Sequence, residues 1–416
     1  MSIPVHIIRP ESVLPIRQAL ENLPAPAPEA LFHSQRLCAL LRDEIAAAGG
    51  ALRFERFMEL ALYAPGLGYY SAGARKFGAD GDFVTAPELS PLFARCLAVQ
   101  CAEVLAALAG GDILELGAGS GVLAADMLKQ LVRLQQPPGR YLILEVSADL
   151  RERQRRTLAE QAPAMLGKVE WLDRLPPAFS GVIIGNEVLD ALPVSRFRRS
   201  PRGFDEFNVA VEGGRFVWCL RPAPAELRAA LTTLESSLPQ PLVADYCSEI
   251  CVRLPAFLYS LADLLTRGAL LLVDYGYTRQ AYYHPDRYMG TLMCHYRQRA
   301  HHDPFLHPGL QDITAHVDFT AVAEAATAAG LELAGYATQA HFLLALGIAG
   351  DVHGSTSVAG GRAPGAAMAG DWRGAREVKL LTLPEEMGER FKAMAFSKRL
   401  DLALRGFGLQ DLSRSL

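Results

Sequence analysis

The chain has 416 residues, of which half are hydrophobic and 21% are charged, and its formal net charge is −4. This composition excludes a largely disordered protein and argues against a broadly basic nucleic-acid-binding surface. No run reaches the ~18 apolar residues that span a bilayer, and the first residues do not have the pattern of a secretion signal. The seven cysteines form no CxxC pair, so we predict free thiols and a cytoplasmic location. From the charge and the apolar runs we predict no nucleic-acid partner and no membrane insertion.

The beginning of the chain is predicted to be helical. Apolar residues recur at helical spacing from about 31 to 62, and Pro65, Gly66 and Gly68 then break the pattern. We therefore assign residues 1–75 to an N-terminal helical segment.

Short apolar runs then alternate with helical stretches such as 121–134. Continuous apolar runs of this length are typical of strands that are buried on both faces of a parallel sheet. The alternation predicts an α/β fold with a doubly wound, mostly parallel sheet. The predicted strands are 112–117, 141–146, 168–172, 181–185 and 269–274. The predicted organisation is a core at 76–347 with an inserted β-hairpin near 204–220, a flexible Gly/Ala-rich loop at 348–376, and a helix with an edge strand at 377–416.

A glycine loop follows the first of these strands and opens a helix. Gly117, Gly119 and Gly121 let the backbone turn tightly and approach a ligand closely. A dinucleotide-binding fingerprint would place its third glycine at 122, where this chain has valine. The GxGxG spacing, with Glu115 two residues ahead of it, is instead typical of S-adenosylmethionine (SAM) sites.

Glu145 ends the next predicted strand, where a carboxylate can accept hydrogen bonds from both hydroxyls of a ribose. Loop, strand and carboxylate together predict SAM as the cofactor. An ordinary strand-to-helix turn with a surface glutamate and a nicotinamide or flavin site are the alternatives.

The strand at 181–185 leads into Asn186, Glu187 and Asp190, which we predict to be catalytic. The carboxyl end of such a strand faces the ligand crevice. Paired carboxylates suit a cationic acceptor such as an arginine guanidinium, which they could orient for in-line attack on the SAM methyl group. The alternatives are that Asp190 caps a following helix and that Glu187 has a structural role.

Several separate motifs make the chain resemble the MidA-like family of class I SAM-dependent methyltransferases, which includes the mitochondrial complex I assembly arginine methyltransferase. The motifs are GYY at 68–70, GDFVTAPELS at 81–90, ELGAGSG at 115–121, LEVSADLRERQ at 144–154, NEVLDALPV at 186–194, VDYG at 273–276, GTLMCHY at 290–296, QDITAHVDF at 311–319, TQAHFLLALGI at 338–348 and MGERFKAMA at 387–395.

The resemblance implies methylation of arginine in a partner protein, such as a respiratory-complex subunit. It also implies that residues ahead of the glycine loop help to build the cofactor pocket, namely Asp82, Thr85, Glu88 and Ser90. A methyltransferase with another acceptor and a non-catalytic SAM-binding assembly factor are the alternatives.

Four residues are candidates for the acceptor pocket: Tyr70, Tyr275, Asp312 and His316. Core packing is the alternative for Tyr70, and a structural hydrogen-bonded pair is the alternative for Asp312 and His316. No metal site is predicted, because the segment at 301–303 matches no standard zinc spacing.

Overall fold

The computed structural model describes residues 6–7, 23–71, 85–350 and 371–416. The strands are β1 (His6–Ile7), β2 (Ala51–Arg53), β3 (Asp112–Leu116), β4 (Tyr141–Leu144), β5 (Val169–Leu172), β6 (Phe179–Asn186), β7 (Ser195–Ser200), β8 (Gly203–Glu212), β9 (Arg215–Pro222), β10 (Cys247–Ile250), β11 (Leu265–Tyr277), β12 (Met293–Tyr296), β13 (Arg299–His301), β14 (Asp312–Thr314), β15 (Val317–Asp318), β16 (Glu332–Thr338) and β17 (Phe391–Lys398). The helices are α1 (Pro28–Ala47), α2 (Phe54–Tyr63), α3 (Ala86–Leu89), α4 (Pro91–Ala107), α5 (Val122–Arg133), α6 (Ala148–Gln161), α7 (Ala225–Ser236), α8 (Leu254–Leu264), α9 (Arg279–Tyr282), α10 (Phe319–Ala328), α11 (Gln339–Ala345) and α12 (Asp371–Thr382).

The chain forms two compact units, each assembled from three stretches of sequence. The antiparallel unit takes Met1–Phe83, Asp190–Ala256 and Tyr277–Ala321, and the parallel unit takes Val84–Leu189, Phe257–Gly276 and Val322–Leu416. The limits of these units differ from the predicted boundaries at 75 and 347. The reason is that strands far apart in sequence pair with one another within each unit. Most of the predicted Gly/Ala-rich loop falls on 351–370, outside the described residues.

The parallel unit is built on a sheet with the strand order β16-β17-β11-β6-β3-β4-β5. The pairs from β11 to β5 are parallel, whereas β17 runs antiparallel to both β11 and β16. The predicted doubly wound, mostly parallel sheet is therefore confirmed. Its central strands are apolar because both faces are covered, and Ile113, Ile143 and Ile184 are fully buried.

The order of the strands reverses within this sheet. From β3 the chain continues to β4 and β5 on one side, whereas β6 and β11 lie on the other side. Ligands of such sheets bind at the carboxyl ends of the strands where the direction of winding changes. The ends of β3, β4 and β6 are therefore the place to look for the site.

The antiparallel unit contains a sheet with the order β1-β9-β8-β7-β10, to which β2 adds on β8, and a small sheet with the order β13-β12-β14. The hairpin of β8 and β9 turns at Gly213 and Gly214, whose φ angles are 56° and 78°, as the sequence predicted. Helix α2 covers the sheet, where Phe57 and Trp218 pack in an aromatic core. In the parts of the chain that the structure describes, no helix has both the length and the apolar character needed to cross a membrane.

Candidate functional site

The glycine loop has a conformation that favours glycine at each of its three positions. The φ angles of Gly117, Gly119 and Gly121 are 64°, 52° and 85°, a region that side chains with a Cβ rarely occupy. A Cβ on Gly117 would meet its nearest neighbour, a methyl group of Val188, only at 4.0 Å. The space beside Gly117 is therefore open, as a cofactor requires, and α5 begins directly behind the loop at Val122.

The segment before α4 reaches the glycine loop through Glu88, whose carboxylate accepts a hydrogen bond from the Ser120 hydroxyl. Ser90 instead caps α4, because its hydroxyl accepts the Leu92 N–H at 3.1 Å, and it also donates to Glu377 at 2.7 Å. Thr85 precedes α3, and its carbonyl accepts backbone N–H groups of that short helix. Asp82, the fourth predicted cofactor residue of this segment, lies outside the described residues.

Glu145 lies just beyond the carboxyl end of β4, in the predicted ribose position. One carboxylate oxygen accepts the Ser147 N–H at 2.9 Å, and the other accepts the side-chain amide of Gln154 at 3.1 Å. The next residue, Val146, exposes 71% of its surface and offers an apolar face beside the carboxylate. Gln154 was not among the predicted site residues, because it lies within a strongly charged stretch of sequence.

Glu115 is held in the core rather than exposed in the crevice. It is only 2% exposed, and its carboxylate accepts a hydrogen bond of 2.7 Å from the Tyr141 hydroxyl. Burial raises the pKa of Glu115 to about 7, although the Tyr141 hydrogen bond opposes this shift. Its carboxyl group therefore retains a proton at pH values where an exposed glutamate is ionised.

This environment makes the stability of the cofactor-free protein depend on pH. The pKa of Glu115 is about 7 in the folded protein, above its ordinary value of 4.5, so its contribution is greatest below pH 4.5 and is lost as the pH rises through 7. Because glutamine cannot titrate, wild type should lose up to about 3 kcal/mol relative to Glu115→Gln over this interval. Urea denaturation of both proteins across this range measures the difference, and parallel pH profiles would contradict the prediction.

The carboxyl end of β6 carries the predicted catalytic residues of the parallel unit. Glu187 has a φ of 52°, an uncommon conformation for a residue with a side chain. Its N–H donates to the Val273 carbonyl at 2.9 Å, and its carboxylate accepts the Asn186 amide at 3.1 Å. Neighbouring strand ends therefore fix the direction in which the Glu187 carboxylate leaves the backbone.

Asp274 stabilises the same loop, although it was not among the predicted site residues. It is 1% exposed, and one carboxylate oxygen accepts the N–H groups of Val188 at 3.1 Å and Leu189 at 2.9 Å. The other oxygen accepts the Tyr275 N–H at 2.9 Å. The signal available in the sequence was an aspartate that ends a long apolar run.

Asp274→Asn is expected to lower the free energy of unfolding by about 1–3 kcal/mol, because an amide NH₂ group in place of one oxygen leaves buried N–H groups without an acceptor. Urea denaturation measures the change. Asp245→Asn is a suitable control, because the Asp245 side chain is 76% exposed. Equal stability of the two variants would show that the loop does not depend on the Asp274 carboxylate.

Asp190 begins a stretch of the antiparallel unit, and no helix follows it. The chain passes through a turn directly into β7, so the alternative of a helix cap is wrong. Asp190 is 6% exposed, and its carbonyl accepts the Ala315 N–H at 3.0 Å. Pro193 biases the residue before it, Leu192, away from the helical conformation, and this local signal was available in the sequence.

The antiparallel unit also brings two predicted acceptor residues into contact. The Tyr70 hydroxyl donates to the Asp312 carboxylate at 2.9 Å. Burial and then the charge of Asp312 raise the pKa of Tyr70 well above its usual range, and Asp190 adds to the same effect. Tyr70 thus remains protonated and lies near two carboxylates.

The other two predicted acceptor residues pack against aromatic rings of their own units. The His316 ring lies 5.2 Å from that of Tyr277, and its backbone N–H donates to the Thr291 hydroxyl. The Tyr275 ring lies 5.4 Å from that of Phe391. Among the residues described by the structure, no group of three or more His, Cys, Asp or Glu side chains could hold a metal ion.

Comparison with known proteins agrees with this geometry. Residues 96–337 match the model of a family described as S-adenosyl-L-methionine-dependent methyltransferase. A relative from Danio rerio, named protein arginine methyltransferase NDUFAF7, mitochondrial, is 30% identical over 72% of this chain and 74% of its own length. The Mus musculus protein of the same name is 28% identical over 83% of this chain and 81% of its own length.

A solved structure gives a closer comparison. A protein from Burkholderia thailandensis bound to S-adenosyl-homocysteine is 46% identical, with a TM-score of 0.88, over 95% of this chain and all of that chain. S-adenosyl-homocysteine is what remains of SAM after it has given up its methyl group. The open glycine loop and the Glu145 carboxylate fit this cofactor. The chain therefore belongs to the MidA-like family of SAM-dependent methyltransferases, and SAM is its cofactor.

Proposed function

We propose that the protein methylates arginine in a partner protein, and that Glu187 and Asp190 orient the guanidinium group. The observation that carries the proposal is the rigid, left-handed backbone at Glu187, at the end of β6. Support for arginine as the acceptor comes from the names of the relatives and from the carboxylates among the predicted catalytic residues, Glu187 and Asp190.

The conformation of Glu187 costs free energy, on the order of 1–3 kcal/mol for a strained backbone. It persists because the Glu187 N–H donates to the Val273 carbonyl of β11 and because Asp274 accepts hydrogen bonds from the next two N–H groups. Strained residues that are held in this way are common at functional sites. The arrangement supports a carboxylate held ready for an acceptor.

A guanidinium group keeps its charge at every physiological pH, and its planar arrangement of N–H groups matches a carboxylate in a two-bond geometry. SAM, when bound, supplies a methyl group activated by the adjacent sulfonium. In the proposed step, Glu187 holds the guanidinium so that one of its nitrogens attacks that methyl group. The N–C bond forms as the S–C bond breaks, S-adenosyl-homocysteine leaves, and the nitrogen loses one proton to a carboxylate or to water. Positioning and charge then account for most of the rate enhancement.

Buried acidic residues of the antiparallel unit add to this support. Asp190 and Asp312 are 6% and 1% exposed, and Tyr70 donates to Asp312. Carboxylates in a low-dielectric environment are stabilised by a cation. A cation that reached these carboxylates would therefore be bound in preference to a neutral hydroxyl or another carboxylate.

The identity of the methylated residue tests the proposal. Purified protein and SAM with a tritiated methyl group are added to lysate from cells that lack this protein, and the labelled proteins are hydrolysed to amino acids. We expect label in methylarginine. Label in another amino acid or in a small molecule would contradict the choice of arginine, and SAM binding without any transfer would indicate a non-catalytic role.

A further inference from the structure

Gln154 connects the two parts of the predicted cofactor pocket. It projects from α6 and is completely buried. Its side-chain amide nitrogen donates to the Gly119 carbonyl at 3.1 Å and to the Glu145 carboxylate at 3.1 Å. One side chain therefore bridges the glycine loop after β3 and the carboxylate after β4.

Trp171 determines which way the Gln154 amide points. Its indole N–H donates to the Gln154 side-chain oxygen at 2.9 Å. An indole N–H can only donate, so it selects the amide oxygen and directs the NH₂ group toward Gly119 and Glu145. The Arg155 guanidinium lies 4.7 Å from the centre of the Trp171 ring system and covers it.

The backbone of Gln154 also packs on the loop. A Cβ on Gly121 would lie 3.0 Å from the Gln154 Cα, so α6 and the loop approach each other as closely as a glycine allows. Both the backbone and the side chain of Gln154 thus contact the loop. Partners behind binding residues commonly fix their orientation in this way, and their loss weakens ligand binding.

We propose that Gln154 is a positioning residue for SAM, which holds the glycine loop and the Glu145 carboxylate at a fixed separation, and that Trp171 orients its amide. The proposal rests on SAM binding by this family and not on the identity of the acceptor. It therefore stands or falls independently of the arginine assignment.

Gln154→Leu keeps much of the side-chain volume and removes the bridge. We expect the Kd for SAM, measured by calorimetry, to rise by about tenfold or more. Gln154→Glu should weaken binding further, because a carboxylate would replace the NH₂ donor opposite the Glu145 carboxylate and the Gly119 carbonyl. With lysate proteins as acceptors, KM for SAM should rise with the Kd, whereas the rate at saturating SAM stays within about threefold.

Gln100→Leu is the matched control. Gln100 is another buried glutamine of the parallel unit. Its side-chain amide nitrogen donates a hydrogen bond to the Glu103 carboxylate, and its side-chain oxygen accepts one from the Gly406 N–H. This variant should lose thermal stability while its Kd for SAM stays within about twofold of wild type. A Gln154→Leu protein with wild-type affinity would overturn the proposal, and so would an equal loss of affinity in Gln100→Leu.

Two further variants extend the test, and the first of them keeps it decisive if Gln154→Leu does not fold. Trp171→Phe leaves Gln154 in place and frees its amide to turn, so the Kd for SAM should rise by about threefold or more. Combining Gln154→Leu with Glu145→Gln should weaken SAM binding by less than the product of the two single effects. Unchanged affinity in Trp171→Phe, or fully multiplicative effects in the double variant, would contradict the bridge.

Discussion

Gly119→Val is expected to abolish SAM binding while leaving the protein folded. Gly119 has a φ of 52°, which a β-branched side chain rarely adopts, so valine should distort the loop on which the cofactor is expected to lie. We expect the Kd for SAM to rise by more than about a hundredfold from a micromolar value, a loss of about 3 kcal/mol. Calorimetry measures the affinity, and circular dichroism checks the fold.

Gly213→Val is a control for the backbone strain in this comparison. Gly213 has a φ of 56° in the hairpin turn between β8 and β9, and a Cβ there would meet no atom within 4 Å. It should lose a similar amount of stability and still bind SAM. If Gly119→Val is folded and binds SAM with near-native affinity, the loop is merely a turn.

Glu187→Gln is expected to cut methyl transfer by at least about a hundredfold, the scale seen when one positioned group is lost from a site. Glutamine preserves the shape and can still accept the Asn186 amide, which lies 3.1 Å from the carboxylate. It removes the charge that would orient a guanidinium. The SAM affinity should stay within about threefold, so the transfer rate at saturating SAM is the informative measurement.

Asp245→Asn is the matched control for this charge removal, because Asp245 is also an acidic residue with a positive φ, of 63°, and it is not a predicted site residue. It should transfer methyl groups at the wild-type rate. Asp190→Asn should also lower the rate of methyl transfer. The structure shows no helix that Asp190 could cap, which leaves the orientation of the guanidinium as the predicted role of its carboxylate. A loss of SAM binding in Glu187→Gln would assign Glu187 to the cofactor pocket instead.

The sequence predicted the parallel sheet well because its strands are buried on both faces. Each apolar run corresponds to an observed strand; Asn186 is the last residue of β6, and Glu187 follows it. Strand β11 is longer than predicted, since pairing with β6 and β17 extends beyond the apolar run at 269–274. Local hydrophobicity marks the buried middle of a strand but not the ends that its neighbours define.

The antiparallel sheet was largely missed because its strands carry charges that are neutralised by distant residues. The arginines of β7 look like a solvent-exposed basic run, but Arg196 is buried near Glu249, with a closest N–O distance of 3.5 Å. Arg198 and Arg199 pair with Asp205 and Glu235. These partners become visible only in the fold.

The polar contacts within the site were hidden for the same reason. Gln154 lies among arginines and glutamates, and Trp171, which orients its side chain by a hydrogen bond, is 17 residues further along the chain. Asp274 acts on a loop that is 85 and 86 residues away in sequence. The motifs marked the residues that we predict to bind the cofactor, whereas the residues that hold them became visible only in the structure.

The most direct test of the account is to map the transferred methyl groups in proteins. Wild type and Glu187→Gln are incubated with saturating deuterated-methyl SAM and lysate from cells lacking this protein, and labelled peptides are quantified by mass spectrometry. We predict deuterated methylarginine with the wild type and at least about a hundredfold less with Glu187→Gln. Equal labelling by the two proteins, or wild-type label on residues other than arginine, would contradict the account.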